Sequence, residues 1–286
     1  MQFREAVKRS WYFGWKYRCV ICGAGTRKRM TIVADVPEMT EKQVVGAEYV
    51  PSDDCPICYA NRRSRLVYAY LTRMRPLRPG EVVLHFAPEL SLYRFVFRRS
   101  GVKYHPADLN PAAYPEIPRV EPVDVTAIPY PDKTFDLILC NHVLEHVADD
   151  RRAMRELRRV LKDDGVALLQ VPLALALEDT DEDLSVTDPA ERERRFGQFD
   201  HLRLYAVRDY AARLSEAGFD VELAPSREIV GPRRDLSLDV NPLERLVIGR
   251  PRLGTVVRPS ARLTPGGVAF RTRPGLRPSR ARPASA

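Results

Sequence analysis

The fold is decided by the stretch FDLILCNHVLEHVADDRRAMRELRRVLKDDGVALLQVP, residues 135–172. It opens with an apolar run at 135–141 and closes with another at 166–172, and both runs are typical of buried strands. Between them, residues 149–165 carry apolar side chains at helical spacing and end in Gly165, which predicts an amphipathic helix. Strand, helix and strand in this order indicate a unit of a parallel sheet.

The same alternation extends to both sides of this stretch. Strands are predicted at 81–87 and 102–105, with a helix at 89–101 between them. On the other side, a predicted helix at 207–219 leads into a strand at 220–225. The pattern predicts an α/β fold with a doubly wound, mainly parallel, Rossmann-like sheet. Because ligands bind at the carboxyl ends of strands in such sheets, the residues after each strand are candidate site residues.

Charge is distributed unevenly along the 286 residues, whose formal net charge is +8. Residues 1–78 hold 15 Lys and Arg against 7 Asp and Glu, and residues 79–249 hold 22 against 31. Residues 250–286 hold nine Arg and no acid, and are rich in Pro and Gly. We therefore expect a small basic N-terminal module with a linking helix, an acidic α/β domain, and a basic tail that is disordered.

The sequence contains no apolar run of the roughly 18–20 residues that a membrane-spanning helix needs. The N-terminus also lacks the uninterrupted apolar segment of a secretory signal peptide. These observations predict a cytoplasmic protein without a membrane partner. They make no prediction of oligomeric state.

Four of the five cysteines form two C-x2-C pairs separated by 32 residues: Cys19, Cys22, Cys55 and Cys58. Two such pairs supply the four thiolates that a structural Zn²⁺ ion prefers, and four thiolates leave no open position for water. A redox pair, disulfides and ordinary buried thiols are the alternatives. Cys140 ends an apolar run and is predicted to be a small buried side chain. Residues 59–75 follow the second pair and are predicted to form the linking helix, with Leu66, Val67, Ala69, Tyr70 and Leu71 on one apolar face. We interpret its arginines as a solvated face, with a phosphate-binding surface as the alternative.

Several motifs resemble a known family. Residues 135–172 resemble class I S-adenosylmethionine-dependent methyltransferases. Four further motifs resemble one bacterial branch of that family: LHFAPE (84–89), ADLNP (107–111), VDVTAIPYPDKTFD (123–136) and RRFGQFDHLRLY (194–205). Members of this branch often carry paired C-x2-C motifs. The resemblance covers residues 80–230 and, less closely, 15–75. It implies a methyltransferase fold with S-adenosylmethionine as the methyl donor.

The resemblance implies two acidic donor-binding residues. Asp108 follows the second predicted strand, where doubly wound folds place a carboxylate that accepts from ribose hydroxyls. Asp124 lies where the family places the acid that accepts from the adenine amino group, with Val125 and Thr126 bordering the ring. The alternative is that both acids form turns or caps.

The loop after the first strand departs from the family pattern, because the usual glycine-rich segment is absent. The resemblance implies that His85, Phe86, Ala87, Pro88 and Glu89 replace it and hold the amino-acid end of the donor. Ala87 is small enough for close approach, and Pro88 is well placed to begin a helix. His85 is equally compatible with an ordinary core position.

The residues after the next strand are expected to face the donor. Asn141 and His142 would line the methyl-transfer site, and His142 is a candidate general base. Glu145 and His146 follow at helical spacing, and we interpret them as a structural or capping pair rather than as catalytic groups.

A long polar segment between 175 and 205 has the length of a functional lid. It ends in FGQFDHLRLY, in which Asp200 could orient His201 as a general base. The alternative is a salt-bridged turn that anchors the lid.

These features predict a methyltransferase that acts on a small-molecule or glycan-type acceptor. An RNA methyltransferase that grips phosphates with its basic ends is an alternative, but the acidic central region would repel RNA near the site. A non-catalytic donor-binding or scaffold protein is the third alternative. The retained Asp108, Asp124 and His142 favour an enzyme.

Overall fold

The structure is a computed structural model that describes residues 2–32, 36–47, 52–231 and 240–252. The basic tail was predicted to be disordered. Its residues from 253 onward lie outside the part of the chain that the structure describes, so this stays a prediction. Residues 250 and 251 are described, and they belong to a strand.

The N-terminal region consists of short elements that end in one long helix. They are α1 (Gln2–Tyr12), β1 (Phe13–Arg18), β2 (Gly25–Thr26), β3 (Met30–Ile32), α2 (Pro37–Glu41), β4 (Val44–Val45), β5 (Ser52–Asp54) and α3 (Arg62–Arg73). β1 pairs with β2 and β3 pairs with β5, both antiparallel. Asn61 caps the start of α3, because its side chain accepts a hydrogen bond from the Ser64 amide at 2.8 Å.

The α/β region follows directly. Its elements are β6 (Val82–Phe86), α4 (Leu90–Phe95), β7 (Lys103–Asp108), β8 (Glu121–Pro122), β9 (Phe135–Cys140), α5 (Asp150–Val160), β10 (Leu161–Leu168), β11 (Leu173–Ala174), β12 (Asp181–Glu182), α6 (Pro189–Phe196), β13 (Arg203–Ala206), α7 (Val207–Glu216), β14 (Phe219–Pro225), α8 (Ser226–Val230) and β15 (Arg245–Pro251). A 3₁₀ helix at Leu144–His146 follows β9.

The central sheet has seven strands in the order β14-β15-β10-β9-β6-β7-β8. Neighbours from β8 to β10 are parallel, whereas β15 is antiparallel to both β10 and β14. This confirms the doubly wound, mainly parallel sheet. The strand order reverses between β6 and β9, so the ligand crevice is expected at the carboxyl ends of these two strands.

The two faces of the sheet are covered by different parts of the chain. Leu84 and Ile138 point into a core shared with α5 and α7, while Val83 and Leu137 point into a core shared with α3 and the cysteines. This alternation follows the two-residue period of a strand. The expected apolar face of α3 is buried there: Leu66, Val67, Ala69, Tyr70 and Leu71. Cys140 is fully buried, as predicted.

The helix predicted at 149–165 is shorter than expected. It ends at Val160, because Leu161 already pairs with Phe135 in the sheet. The register of β10 shifts between Leu161 and Val166, so Gly165 lies in an irregular strand instead of ending a helix. A Cβ atom at Gly165 would lie 2.7 Å from the Leu161 side chain, which explains the glycine.

A small second sheet lies beyond the carboxyl end of β10, with the order β12-β13-β11-β4. Through it, β4 of the N-terminal region pairs with β11, and β13 carries the end of the predicted lid segment. No helix within the described ranges is long and apolar enough to cross a membrane. The cytoplasmic location stays a prediction.

Candidate functional site

A cavity of about 410 Å³ opens at the carboxyl ends of β6, β7 and β9, as the sheet order predicts. Seven of the predicted site residues line it: Phe86, Ala87, Asp108, Asp124, Val125, His142 and Asp200. The other predicted residues do not line it and lie next to residues that do: His85, Pro88, Glu89, Thr126, Asn141 and His201. Leu109, Tyr114, Val123 and His146 also line the cavity and were not predicted to do so.

Two residues at the edge of the crevice hold the backbone in the left-handed region. Ala87 follows β6 with φ of +47°, and His142 lies just beyond β9 with φ of +55°. The Ala87 amide donates to the Ala107 carbonyl at 3.0 Å, and the His142 amide donates to the Gln170 carbonyl at 2.7 Å. Side chains rarely tolerate this conformation, and such residues concentrate at functional sites.

The segment after β6 is organised by a buried group of polar side chains. His85 is fully buried and lies 2.5 Å from the Glu89 carboxylate through Nε2 and 2.9 Å from the Tyr104 hydroxyl through Nδ1. Glu89 also accepts from the Asn141 amide at 3.3 Å. Arg63 on α3 lies 3.5 Å from the same Glu89 oxygen. His85 therefore contacts Glu89 and does not itself line the cavity.

Glu89 is held in its ionised form. Burial opposes ionisation, but the charge and hydrogen bond of His85, together with the charge of Arg63, outweigh it and lower the pKa of Glu89 to about 2. A carboxylate is thus fixed close to Ala87, at the start of α4. Pro88 lies between them and is buried.

Asp108 ends β7, and its side chain serves both its own loop and the cavity. Oδ1 accepts from the Asn110 amide at 2.7 Å, and Oδ2 accepts from the Tyr114 hydroxyl at 2.8 Å. The turn-forming role and the cavity-lining role therefore coexist. Each carboxylate oxygen has two acceptor sites, so capacity remains for a hydroxyl in the cavity.

Asp124 follows β8 and also combines both roles. Its Oδ1 accepts from the amide and the hydroxyl of Thr126, both at 2.8 Å, while the residue lines the cavity. Thr126 thereby orients Asp124 and does not itself border the cavity. Val125 is buried and supplies an apolar wall.

The segment after β9 buries several polar atoms that have no hydrogen-bond partner within the described structure: Asn141 Oδ1, His142 Nε2 and both carboxylate oxygens of Glu145. Burial, reinforced by the charge of Arg63, lowers the pKa of His142 to about 4, so its imidazole is neutral at pH 7. Buried polar atoms without partners are uncommon in folded proteins. They make this end of the cavity a candidate for contact with a ligand.

The predicted lid segment ends against this region. Arg203 is buried and donates to the Leu144 and Ala148 carbonyls, both at 3.0 Å. The Leu202 amide donates to the Glu145 carbonyl at 2.9 Å. Tyr205 donates to Asp150 at 2.7 Å. These bonds fasten the end of the segment to the 3₁₀ helix after β9.

Asp200 and His201 do not form the pair that the sequence suggests. His201 Nδ1 donates to the Phe196 carbonyl at 3.0 Å, while Asp200 Oδ2 lies 3.3 Å from His146 Nδ1. Asp200 therefore lies beside His146 instead of His201. The two imidazole rings are neighbours, with centroids 4.7 Å apart.

The four cysteines of the two C-x2-C pairs converge on one point. Their sulfur atoms all lie within 4.8 Å of one another, with Cys19 and Cys58 separated by 3.7 Å and Cys22 and Cys55 by 3.8 Å. Zn–S bonds of about 2.3 Å place the sulfurs of a tetrahedron about 3.8 Å apart. A disulfide needs about 2.05 Å. The donor set and its dimensions thus fit a tetrahedral zinc ion.

Three residues of the cavity region were not predicted from the sequence: Arg63, Tyr114 and His146. Arg63 was grouped with the solvated arginines of the linking helix, and nothing in its neighbourhood distinguishes it from Arg62. Tyr114 follows Asp108 by six residues, and this spacing is the local signal that was available. His146 was assigned a structural role because it follows Glu145 on the same short helix.

Fold and site together define a class: a Rossmann-like α/β protein with a ligand cavity at its switch point and acids after its second and third parallel strands. A family model described as a methyltransferase domain matches residues 59–224, more than half of the chain. The chain therefore belongs to the methyltransferase family. This confirms the prediction of a methyltransferase. The bacterial branch with paired C-x2-C motifs and the HFAPE loop stays a prediction.

Two curated relatives are similar over limited stretches. The uncharacterized methyltransferase YcgJ of Bacillus subtilis is 49% identical over 43 residues, which are 15% of this chain and 17% of that protein. A malonyl-[acyl-carrier protein] O-methyltransferase of Halorhodospira halophila is 32% identical over 110 residues, 34% of this chain and 37% of that protein. The aligned stretches span well under half the length of either relative.

Solved structures are similar to a larger part of the chain. The crystal structure of Bacillus YcgJ has a TM-score of 0.42 at 18% identity and covers 66% of this chain and 99% of that one. The 1,6-didemethyltoxoflavin-N1-methyltransferase of Burkholderia thailandensis, solved with S-adenosylhomocysteine, has a TM-score of 0.38 at 16% identity. That match covers 66% of this chain and 77% of the other.

Proposed function

We propose that the protein transfers the methyl group of S-adenosylmethionine to a small-molecule or glycan-type acceptor. The observation that carries this proposal is the cavity at the switch point, which runs from Asp108 and Asp124 to His142 and Asp200. One end of the cavity offers carboxylates that can bind a nucleoside. The other end offers titratable side chains next to the bound nucleoside. The family supplies the reaction class.

The donor fits the chemistry of the first end. Asp108 would accept from the ribose hydroxyls, Asp124 would accept from the adenine amino group, and Val125 would pack against the ring. Thr126 contributes by orienting Asp124. Bound S-adenosylmethionine supplies an electrophilic methyl group on a sulfonium.

The amino-acid end of the donor would lie beside Ala87. Its ammonium group needs acceptors, and Glu89 and the unpartnered Oδ1 of Asn141 are available within this group of side chains. Phe86 supplies a buried wall of the cavity, and His85 contacts Glu89 through Nε2. A left-handed Ala87 lets the loop turn closely around the ligand, as a glycine would.

The acceptor would approach from the side of His142, His201 and Asp200. Methyl transfer is an in-line displacement in which alignment supplies most of the rate, and a base is needed only when the acceptor must lose a proton. The unpartnered Nε2 of His142 supports a role as that base. Asp200 lines the same edge of the cavity and lies 3.3 Å from His146 Nδ1.

A small acceptor is favoured over RNA by the charges around the site. Asp108, Asp124 and Asp200 line the cavity, and Glu145 is buried behind it. A phosphate backbone at this edge would be repelled by the carboxylates. An enzyme is favoured over a non-catalytic protein because His142, which lines the cavity, keeps its buried Nε2 without a hydrogen-bond partner in the described structure.

We also propose that Cys19, Cys22, Cys55 and Cys58 hold a structural zinc ion. The support is the tetrahedral spacing of the four sulfurs. The ion would fix the start of α3 and thereby the position of Arg63.

The test is methyl transfer from a donor labelled in its methyl group. The full chain is incubated with a low-mass metabolite fraction or with total RNA, and Asp108→Asn serves as the inactive control. Label is expected in a product of the metabolite fraction with the wild-type chain alone. Label in RNA would contradict the acceptor assignment, and label in neither fraction would contradict the proposed reaction with these acceptor classes.

A further inference from the structure

We propose that Glu145, His146 and His201 form a binding site for one divalent transition-metal ion, separate from the four cysteines. One ligand atom from each of the three residues lies within 4.8 Å of the other two. Ligand atoms around one ion with bonds of about 2.0–2.2 Å are separated by about 3–4 Å. Small side-chain adjustments are therefore enough to close the three groups on an ion.

Glu145 is the strongest sign that a ligand belongs here. Its side chain is fully buried, and neither carboxylate oxygen has a hydrogen-bond partner within the described residues. His142 Nδ1 lies 3.2 Å from Oε1, but the alignment does not make a hydrogen bond. Burying a carboxylate without partners is costly, and a bound cation satisfies both oxygens at once.

His201 is oriented by a hydrogen bond to the backbone. The Phe196 carbonyl can only accept, so His201 Nδ1 carries the proton in its 3.0 Å hydrogen bond and Nε2 keeps a free lone pair. His146 also has an acceptor beside one ring nitrogen, because Asp200 Oδ2 lies 3.3 Å from its Nδ1. A ligating histidine that donates its other ring nitrogen to a carbonyl or a carboxylate is the usual arrangement around metals.

The donor set indicates the class of metal. Two imidazoles and one carboxylate suit Zn²⁺, Mn²⁺, Fe²⁺ or Co²⁺, and three protein ligands leave a coordination position open. His146 lines the donor cavity, so an ion held by these three residues would lie close to the side from which the acceptor approaches. A metal there would bind an oxygen of the acceptor and make a hydroxyl more acidic. The site therefore favours acceptors that carry a hydroxyl group.

The chain contains a matched control for this site. His146 is 32% exposed and lies 3.3 Å from Asp200, while His105 is 31% exposed and lies 3.2 Å from Glu121. His105 lies on β7, outside the proposed cluster. Replacing either histidine thus removes a half-buried imidazole beside a carboxylate, and only His146→Gln removes a proposed ligand.

The experiment is equilibrium dialysis of the full chain against Mn²⁺ without methyl donor, followed by measurement of total divalent metal per chain. Wild type and His105→Gln are expected to hold one more ion per chain than His146→Gln, in which affinity falls on the order of tenfold or more. A Glu145→Gln variant, checked for native circular dichroism, is expected to lose the same ion. Equal metal content in wild type and His146→Gln would overturn the proposal. Failure here is distinguishable from failure of the proposed methyl transfer, because donor binding is measured separately.

Discussion

Arg63 Nε lies 3.5 Å from the Glu89 carboxylate, and this contact joins the N-terminal region to the α/β region. Arg63 is the second residue of α3, which begins four residues after Cys58. Glu89 precedes α4, directly beyond the loop that lines the cavity. The cysteine-containing region thereby contributes a charge to the proposed donor site.

Removing this charge should weaken donor binding. In Arg63→Met the Glu89 carboxylate loses its positioning partner, and we expect affinity for S-adenosylhomocysteine to fall about tenfold, as for a charged interaction worth about 1.5 kcal/mol. Arg250→Met is the control, because it breaks a similar ion pair of 3.6 Å with Glu222 far from the cavity. Equal affinities for the two variants by isothermal titration would refute the role of Arg63.

Disrupting the cluster of Cys19, Cys22, Cys55 and Cys58 should affect the same N-terminal region, which contains Arg63. Cys55→Ser is expected to lower zinc content from about one ion per chain to none and to reduce the free energy of unfolding, because structural zinc contributes directly to folding. Cys140→Ala removes a buried thiol outside the cluster and should keep its zinc. Metal analysis with thermal unfolding tests this, and full zinc retention in Cys55→Ser would show that the cluster is not the site.

The sequence predicts the parts of this molecule that depend on local patterns. Strand and helix periodicity identified the parallel core of the sheet, and the position of Asp108 after a strand placed it at the cavity. The spacing of the four cysteines predicted their convergence. These signals lie within short windows, so one sequence is enough to interpret them.

The parts that were missed depend on long-range packing. Leu161 continues the apolar stripe of α5, yet pairing with Phe135 draws it into the sheet. β15 was not predicted, because its place between β10 and β14 is set by strands far away in the chain. Asp200 and His201 are adjacent in sequence, but the backbone between them sends their side chains to different partners.

Ala87 offers a test of the unusual loop after β6. The φ of +47° strains an alanine by about 1–2 kcal/mol. Glycine removes this strain, but its greater conformational freedom in the unfolded chain lowers the free energy of unfolding by about 0.4–1 kcal/mol. Ala87→Gly should therefore leave the free energy of unfolding unchanged or raise it by about 1 kcal/mol. In Ala153→Gly, within α5, the same replacement should lower it by about 1 kcal/mol or more. Denaturant unfolding compares the two, and equal destabilisation would contradict the left-handed assignment.

Protonated Glu244 should contribute stability that is lost as the pH rises. Burial raises its pKa from an ordinary 4.5 to about 7, against the opposing charges of Arg63, Arg62 and Arg65. Between these two pH values the folded chain holds a proton on Glu244 that the unfolded chain has lost, so the contribution of Glu244 to the free energy of unfolding decreases by up to about 3 kcal/mol. The loss is complete above pH 7. His142, whose pKa is lowered to about 4, contributes in the opposite direction below pH 6.5, so the comparison with a Glu244 variant is what isolates this contribution.

Glu244→Gln removes this titration and should be more stable than wild type at pH 8 but similar at pH 4.5. Glu222→Gln, at a 58% exposed position, is the control and should retain the wild-type slope. Denaturant unfolding across this pH range measures the difference. A wild-type pH slope in Glu244→Gln would contradict the assignment.

The most direct test of the account is isothermal titration of S-adenosylhomocysteine into the full chain, its Asp108→Asn variant and its Asp220→Asn variant. Asp220 is 65% exposed and pairs with Arg252 away from the cavity, so it controls for loss of a charge. We predict a single site in wild type and Asp220→Asn, and affinity about 10–100-fold lower in Asp108→Asn, as for a lost charged hydrogen bond. No binding to wild type, or equal affinity in all three chains, would contradict the donor site at the switch point.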